Sequence, residues 1–168
     1  MIRALSLFSG VGLHDLGLQR AGIEIAGQVE IDPWCNAVLG KHWPDVPKWE
    51  DVKDVTAESV RARAGRIDLV TGGFPCPDIS SAGRGVGLLR GERSSLWLEM
   101  LRIIGAVRPT WVLAENVPAL FSRGVDSVLF GLEAQGYAAW PVVVGAWAVG
   151  APHRRDRVWI VGRRRNGG

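Results

Sequence analysis

The chain has only 2 cysteines in 168 residues, and no apolar run approaches the ~20 residues of a membrane-spanning helix. Cys35 and Cys76 cannot build a disulfide framework, and neither has the Cys/His neighbours of a zinc site, so no metal is expected. A reducing cytoplasm fits this composition. MIRALSLFSG lacks the apolar core and small-residue cleavage site of a signal peptide, so the mature chain is expected to begin at Met1. Strong charge of either sign is missing too: a net charge of +3 allows a nucleic-acid partner without demanding one. Internal repeats, low-complexity stretches and linkers are absent.

What is present reads as one soluble globular domain, with 47% hydrophobic and 22% charged residues and enough length for a single core. RALSLFSG rises as a strand and stops at glycine, and GLHDLGLQRAG follows at helical spacing, closing on Gly22. The pattern repeats with IEIAGQVEID as a strand, PWCNAVLGKHW as a helix with Pro33 in its first turn, and IDLVTGG as a buried strand. After a long Gly-rich loop, SSLWLEMLRIIGAV is a helix and PTWVLAENV a strand. YAAWPVVVGAWAV and DRVWIVG are two late strands with no helix between them. The expectation is a doubly wound, mostly parallel α/β sheet with a C-terminal antiparallel hairpin at one edge. Residues 1–162 form the domain and 163–168 a basic, flexible tail.

Ligands of open α/β sheets bind at the carboxyl ends of the strands, and polar clusters fall there. Phe8 to Gly12 offer glycines for close backbone approach and a helix N-terminus suited to an anion. Glu30 and Asp32 end the second strand, where a carboxylate can bond ribose hydroxyls. Cys76 lies between Pro75 and Pro77, which fix the backbone on both sides as expected where a side chain must be aimed. Cys35 reads as an inert helical thiol. Arg84, Arg155 or Arg157 could favour the Cys76 thiolate. Glu115 follows the apolar WVLA into a crevice where it could hold or donate a proton.

Four segments in this order, LSLFSGVG, GGFPCPDIS, LAENVPAL and HRRDRVWIVG, resemble the cytosine-5 DNA methyltransferase family over nearly the whole chain. The resemblance implies a Rossmann-like, S-adenosylmethionine-dependent core acting on double-stranded DNA with a flipped cytosine, in the cytoplasm of a bacterial or phage-infected cell. It makes Cys76 the nucleophile, Glu115 the residue that engages the ring nitrogen, and Arg155 and Arg157 the paired arginines that hold the pyrimidine. Phe8, Ser9, Gly10 and Gly12 match the cofactor loop, Glu30 the ribose-binding acid and Asp51 the acid that reads the adenine amino group. Ile31, Val52, Pro75 and Leu96 complete the implied cofactor contacts, and Ser80, Arg84 and Asn116 the substrate contacts.

The chemistry accounts for the residue types. Carbon 5 of cytosine becomes nucleophilic once a thiolate adds to carbon 6, and that attack needs the base out of the stack. Pro77, Leu13 and His153 depart from residues usual in the family, and its target-recognition region and C-terminal motifs have no counterpart. Recognition would then come from a partner chain or a homodimer. Alternatives are a non-catalytic module that binds S-adenosylmethionine or nucleic acid, and an RNA cytosine-5 methyltransferase. A nucleotide-binding oxidoreductase is more distant, since hydride transfer has no use for Pro-Cys-Pro with Glu-Asn-Val.

Overall fold

The computed structural model describes residues 1–75 and 94–165. A seven-stranded sheet is built from β1 (Arg3–Leu7), β2 (Glu24–Val29), β3 (Lys48–Trp49), β4 (Leu69–Gly73), β5 (Trp111–Asn116), β6 (Tyr137–Val144) and β7 (Arg157–Arg164), in the order β3-β2-β1-β4-β5-β7-β6. All pairs are parallel except those of β7, which runs antiparallel between β5 and β6. The expected doubly wound architecture with its terminal antiparallel pair is therefore what the chain adopts. The chain turns back in its winding between β1 and β4, and that switch point opens a crevice at their carboxyl ends.

Helices α1 (Leu13–Arg20) and α2 (Pro33–His42) belong to one side of the sheet, with Leu18, Leu39 and Trp43 packed against Ala4, Ile25 and Leu69. The larger core lies on the other side. There Met100, Ile103 and Ile104 of α4 (Ser94–Val107) and Val128 and Leu132 of α6 (Val125–Ala134) cover Leu5, Val70, Val112, Ala114 and Ile160. Val60 of α3 (Ala57–Arg63) joins the same core. A short α5 (Leu120–Arg123) leads into α6.

Local chemistry sets the boundaries. Asp32 caps α2 by accepting the Cys35 N–H at 2.8 Å, with Pro33 in the first turn where its missing N–H costs nothing. Thr56 and Ser59 form a reciprocal capping box that starts α3. Gly22, at φ 80°, lets the chain leave α1 as expected.

The structure departs from the sequence expectations in three places. Helices α3, α5 and α6 have no counterpart among the expected elements. The strand read through GAWAV ends at Val144, and Ala146–Val149 form a 3-10 turn instead, followed by Gly150 at φ 84°. Arg163 and Arg164, read as the start of a tail, lie inside the sheet, where Arg163 pairs with Trp111 and Ala138, and Arg164 with Tyr137. The Arg163 guanidinium also lies 5.5 Å from the Trp111 ring centroid, a cation-π contact that holds the strand end down.

Two glycines give opposite expected outcomes. A Cβ at Gly72 would stand 2.6 Å from the Leu7 carbonyl oxygen of the neighbouring strand, whereas one at Gly17 in α1 meets nothing within 4 Å. In urea unfolding, Gly72→Ala is expected to lose about 2 kcal/mol or more through overpacking. Gly17→Ala is expected to gain about 0.5–1 kcal/mol through helix propensity and reduced unfolded-state entropy.

Candidate active site

The first wall of the crevice is the turn after β1. Phe8 and Gly10 both take left-handed φ values, 56° and 54°, and a Cβ on Gly10 would meet nothing within 4 Å, so the backbone there borders open space. Gly12, at φ 82°, occupies the N-cap of α1 without a side-chain cap, and any larger residue there would run into the Trp43 ring. The first N–H groups of α1 are thus left to face the crevice. Non-glycine residues rarely hold φ near +56° unless the surroundings enforce it, which is how strain gathers at binding sites.

Glu30 organises this turn. Its Oε2 accepts the Gly10 N–H at 2.7 Å and its Oε1 the Asp32 N–H at 2.9 Å. Each oxygen keeps a further lone pair for a hydroxyl donor. Beside it Ile31 is 72% exposed and Trp34, a residue not expected at the site, 69%, so two apolar side chains stand in solvent next to the carboxylate. Asp51 accepts the Lys53 N–H at 2.9 Å and caps the 3-10 turn Val52–Asp54. Val52, expected to touch the cofactor, has its side chain in the core, and its carbonyl accepts Arg102 Nη2 at 3.1 Å. Leu96 is half-buried against the core.

Beneath the turn runs a buried polar chain that sequence reasoning missed. Ser9 Oγ donates to Ser6 Oγ at 3.0 Å, Ser6 Oγ to Asp15 Oδ1 at 2.5 Å, and Gln28 Nε2 to Asp15 Oδ2 at 2.7 Å. Burial pushes the Asp15 carboxyl up, against the pull of the bonds from Ser6 and Gln28. The available signal was an acid at the same helical face as the buried Leu18. Next to it His14 sets its ring edge-on to Trp159, at 5.2 Å between centroids. Burial lowers its pKa from the ordinary 6.5, with the Asp15 charge opposing.

The second wall comes from β4, β5 and β7. Glu115 and Arg157, both expected catalytic residues, form an ion pair at 2.7 Å, each about a quarter exposed, at 26% and 23%. They are diagonal neighbours across the antiparallel pair, in which Glu115 stands opposite Trp159. The Gly73 of β4 is registered beside Glu115, and a Cβ there would lie 2.9 Å from Glu115 Oε2. The Gly-Gly pair therefore has two separate causes: Gly72 makes room for the β1 backbone and Gly73 for the carboxylate.

Asn116 departs from expectation. It was expected to touch substrate, yet it is 3% exposed, with Nδ2 donating to the Phe74 carbonyl at 3.0 Å and Oδ1 accepting the Val117 N–H at 2.9 Å. It clamps the end of β5 to the segment that leaves β4 toward the exposed Pro75. Arg155 is exposed and holds φ 33°, a left-handed value, just before β7. Cys35 is half-buried on α2, and desolvation together with the Asp32 carboxylate pushes its thiol up, in keeping with an inert role. Cys76, Ser80 and Arg84 lie outside the described residues. Among the described residues no cluster of three or more His, Cys, Asp and Glu side chains could hold a metal, and no helix is long and apolar enough to cross a membrane.

A strained glycine turn, an acid at the end of β2 and a carboxylate–arginine pair at the ends of β5 and β7 now meet at one switch point. Residues 2–167 match the family described as C-5 cytosine-specific DNA methylase. The chain belongs to that family. It is 36% identical over 171 residues to the type II methyltransferase M2.BsuMI of Bacillus subtilis, covering 95% of this chain and 41% of that protein. It is 34% identical to the type II methyltransferase M.AquIA of Picosynechococcus sp., covering 96% and 72% respectively. Among solved structures, an E. coli prophage-encoded protein described as a DNA modification methyltransferase superposes with a TM-score of 0.81 at 28% identity, over 98% of this chain and 47% of that one. The S. pombe Dnmt2 methyltransferase shares the fold, with a TM-score of 0.80 at 22% identity over 100% of this chain and 52% of its own. The chain thus spans less than half of the length of M2.BsuMI and nearly three quarters of M.AquIA.

His14 yields a test of the buried face beneath the methylase site. Its pKa is lower folded than unfolded, so the unfolded chain binds the proton first and stability falls as pH drops from about 6.5 through the lowered folded value. His14→Phe keeps a ring against Trp159 and removes the titration. Urea unfolding across this window is expected to show the parent chain losing stability relative to the variant. A constant difference would contradict the burial of a neutral imidazole.

Proposed function

We propose that this chain transfers the methyl group of S-adenosylmethionine to carbon 5 of cytosine in DNA through a covalent Cys76 adduct. The observation that carries this reading is the Glu115–Arg157 pair at 2.7 Å, held between the carboxyl end of β5 and the amino end of the antiparallel β7, beside the segment that leads to Cys76. A carboxylate held by a guanidinium at a crevice is suited to engage a ring nitrogen and its exocyclic amine, while the fork of the arginine retains donors for a ring carbonyl.

The residues of the first wall fit the cofactor. Gly10 borders open space, Glu30 keeps lone pairs for ribose hydroxyls, and Ile31 with Trp34 offers apolar surface to a flat base. Phe8, Ser9 and Gly12 shape the turn, and Asp51 with the Val52 backbone lines the neighbouring segment. When bound, S-adenosylmethionine supplies a methyl group on a positively charged sulfur.

The chain's own residues do the remaining work. Cys76 as thiolate forms a bond to carbon 6 of the flipped cytosine, and the ring electrons move toward carbon 5 as Glu115 engages the ring nitrogen. Carbon 5 then takes the methyl. A base removes the proton from carbon 5, and the carbon–sulfur bond breaks to restore the ring and the thiolate. Arg155 and Arg157 hold the pyrimidine and the adjoining backbone, and Ser80 and Arg84 contribute from the loop. Target selection is supplied by a partner chain, a homodimer or further sequence.

Two variants test the assignment. Glu115→Gln retains an acceptor for Arg157 and loses the ionisable proton, so methyl transfer from labelled S-adenosylmethionine to DNA is expected to fall by about 10²-fold or more. Binding of S-adenosylhomocysteine by calorimetry should stay close to the parent value. Arg157→Lys should impair both kcat and KM, since a lysine cannot replace a forked donor. Tight NAD binding without any S-adenosylhomocysteine signal would overturn the reading, and transfer confined to transfer RNA would redirect it to RNA.

A further inference from the structure

At the opposite end of the sheet, a cavity of about 610 Å³ opens between α3, the end of α4 and the start of β5. Four arginines line it: Arg61, Arg66, Arg108 and Arg164. Its apolar floor is formed by the exposed Ala57 and Ala106 and the half-buried Val107, backed by the buried Val60 and Ile67. Thr110 borders the cavity one residue before β5 begins, whereas Glu115 lies five residues further on, so strand geometry separates this basin from the methylation site by roughly 15 Å.

Among the described residues, only Arg66 of the four is paired with a carboxylate. Arg66 pairs with Asp68 at 3.0 Å, and that carboxylate also accepts the Arg3 N–H at 3.2 Å. Arg108 gives one donor to the Gln135 carbonyl at 2.8 Å, and Arg164 gives one to the Arg108 carbonyl at 2.7 Å. These bonds leave most of the five N–H donors of each guanidinium available. Arg61 has no bonded partner among the described residues. Arg108 itself holds φ 54°, a left-handed position at a helix end where glycine is the ordinary choice. A bulky cation is thus kept at a strained position on the rim of a cavity that three other arginines also line.

We propose that this basin binds an organic phosphate of the nucleoside diphosphate class. The arginine rim holds the phosphates through forked, charge-assisted bonds, and Ala57, Ala106 and Val107 offer apolar surface to the base and sugar. The volume suits a ligand of that size. A DNA duplex seated in the crevice at the carboxyl ends of the strands would not enter this concavity.

Calorimetric titration of the full chain with GDP, inorganic pyrophosphate and a short duplex DNA tests the site. GDP lacks adenine and so avoids a base that the cofactor turn would recognise. Two exposed positions are altered separately: Arg61→Glu reverses one charge of the rim, and Ala106→Trp fills the basin without changing charge. Both should leave the melting temperature in place. GDP is expected to bind more tightly than pyrophosphate, and each substitution to weaken GDP by about tenfold or more, the size of one charge-assisted bond, with duplex binding unchanged. Absence of GDP binding at millimolar concentration, or GDP binding indifferent to both substitutions, overturns the proposal. Equal affinity for pyrophosphate and GDP overturns the role of the apolar floor, and loss of duplex binding in place of GDP binding makes the basin a DNA contact instead.

Discussion

The candidate site depends on the register between β5 and β7. Because β7 enters the sheet antiparallel with Trp159 opposite Glu115, Arg157 emerges on the same face as the carboxylate and one step along. A slip of one residue would turn Arg157 toward the core that Val158 now enters, and would leave Glu115 without its cation. The register is secured on both sides, by the β5–β7 ladder and the longer β6–β7 ladder, which runs from Tyr137 opposite Arg164 to Val144 opposite Arg157. Gly73 and Asn116 then adapt the neighbouring strand ends to the pair, one by lacking a side chain and the other by clamping the exit of β4.

The two faces of the sheet carry different physics. One packs aliphatic and aromatic side chains under α3, α4 and α6 and supplies rigidity. The other places Ser6, Gln28 and Thr71 under α1 and its own Asp15, every one of them buried, and the polar chain through Ser9 ties the glycine turn to the centre of the sheet. A buried network of this kind costs stability unless satisfied, and Gln28 Oε1 has no partner among the described residues. Strained backbone appears on both sides of the crevice, at Phe8 and at Arg155. These positions flank the place where ligand and base would meet, so the strain is stored where precise aim matters.

Much of this was legible in the residues, and the reasons are specific. Alternating apolar runs and glycine turns identify β1, α1, β2, α2, β4, α4 and β5 because each has a clear period and a punctuating residue. Glu30 and Glu115 could be assigned because each closes an apolar strand. Helix α3 was hidden because a seven-residue segment with Val60 as its one fully buried side chain has almost no periodicity to read. Arg163 and Arg164 looked like a tail because charge suggests solvent, whereas backbone pairing on an antiparallel ladder tolerates arginines that lie over Trp111 or reach a carbonyl. Asn116 misled for a related reason: its motif context points to substrate, but an amide side chain can serve equally as a bridge between two backbone segments.

The central claim is that the segment following Gly73 presents the Cys76 thiol to a cytosine held by Glu115 and Arg157. Its most direct test is incubation of the chain with S-adenosylmethionine and DNA carrying 5-fluorocytosine, followed by denaturing electrophoresis and mass mapping of the linked peptide. Fluorine cannot leave carbon 5 as a proton does, so a stable protein–DNA adduct mapped to Cys76 is the expected result, abolished by Cys76→Ser and retained in Cys35→Ser. Active methylation without any trapped adduct, or an adduct mapped to Cys35, would contradict it.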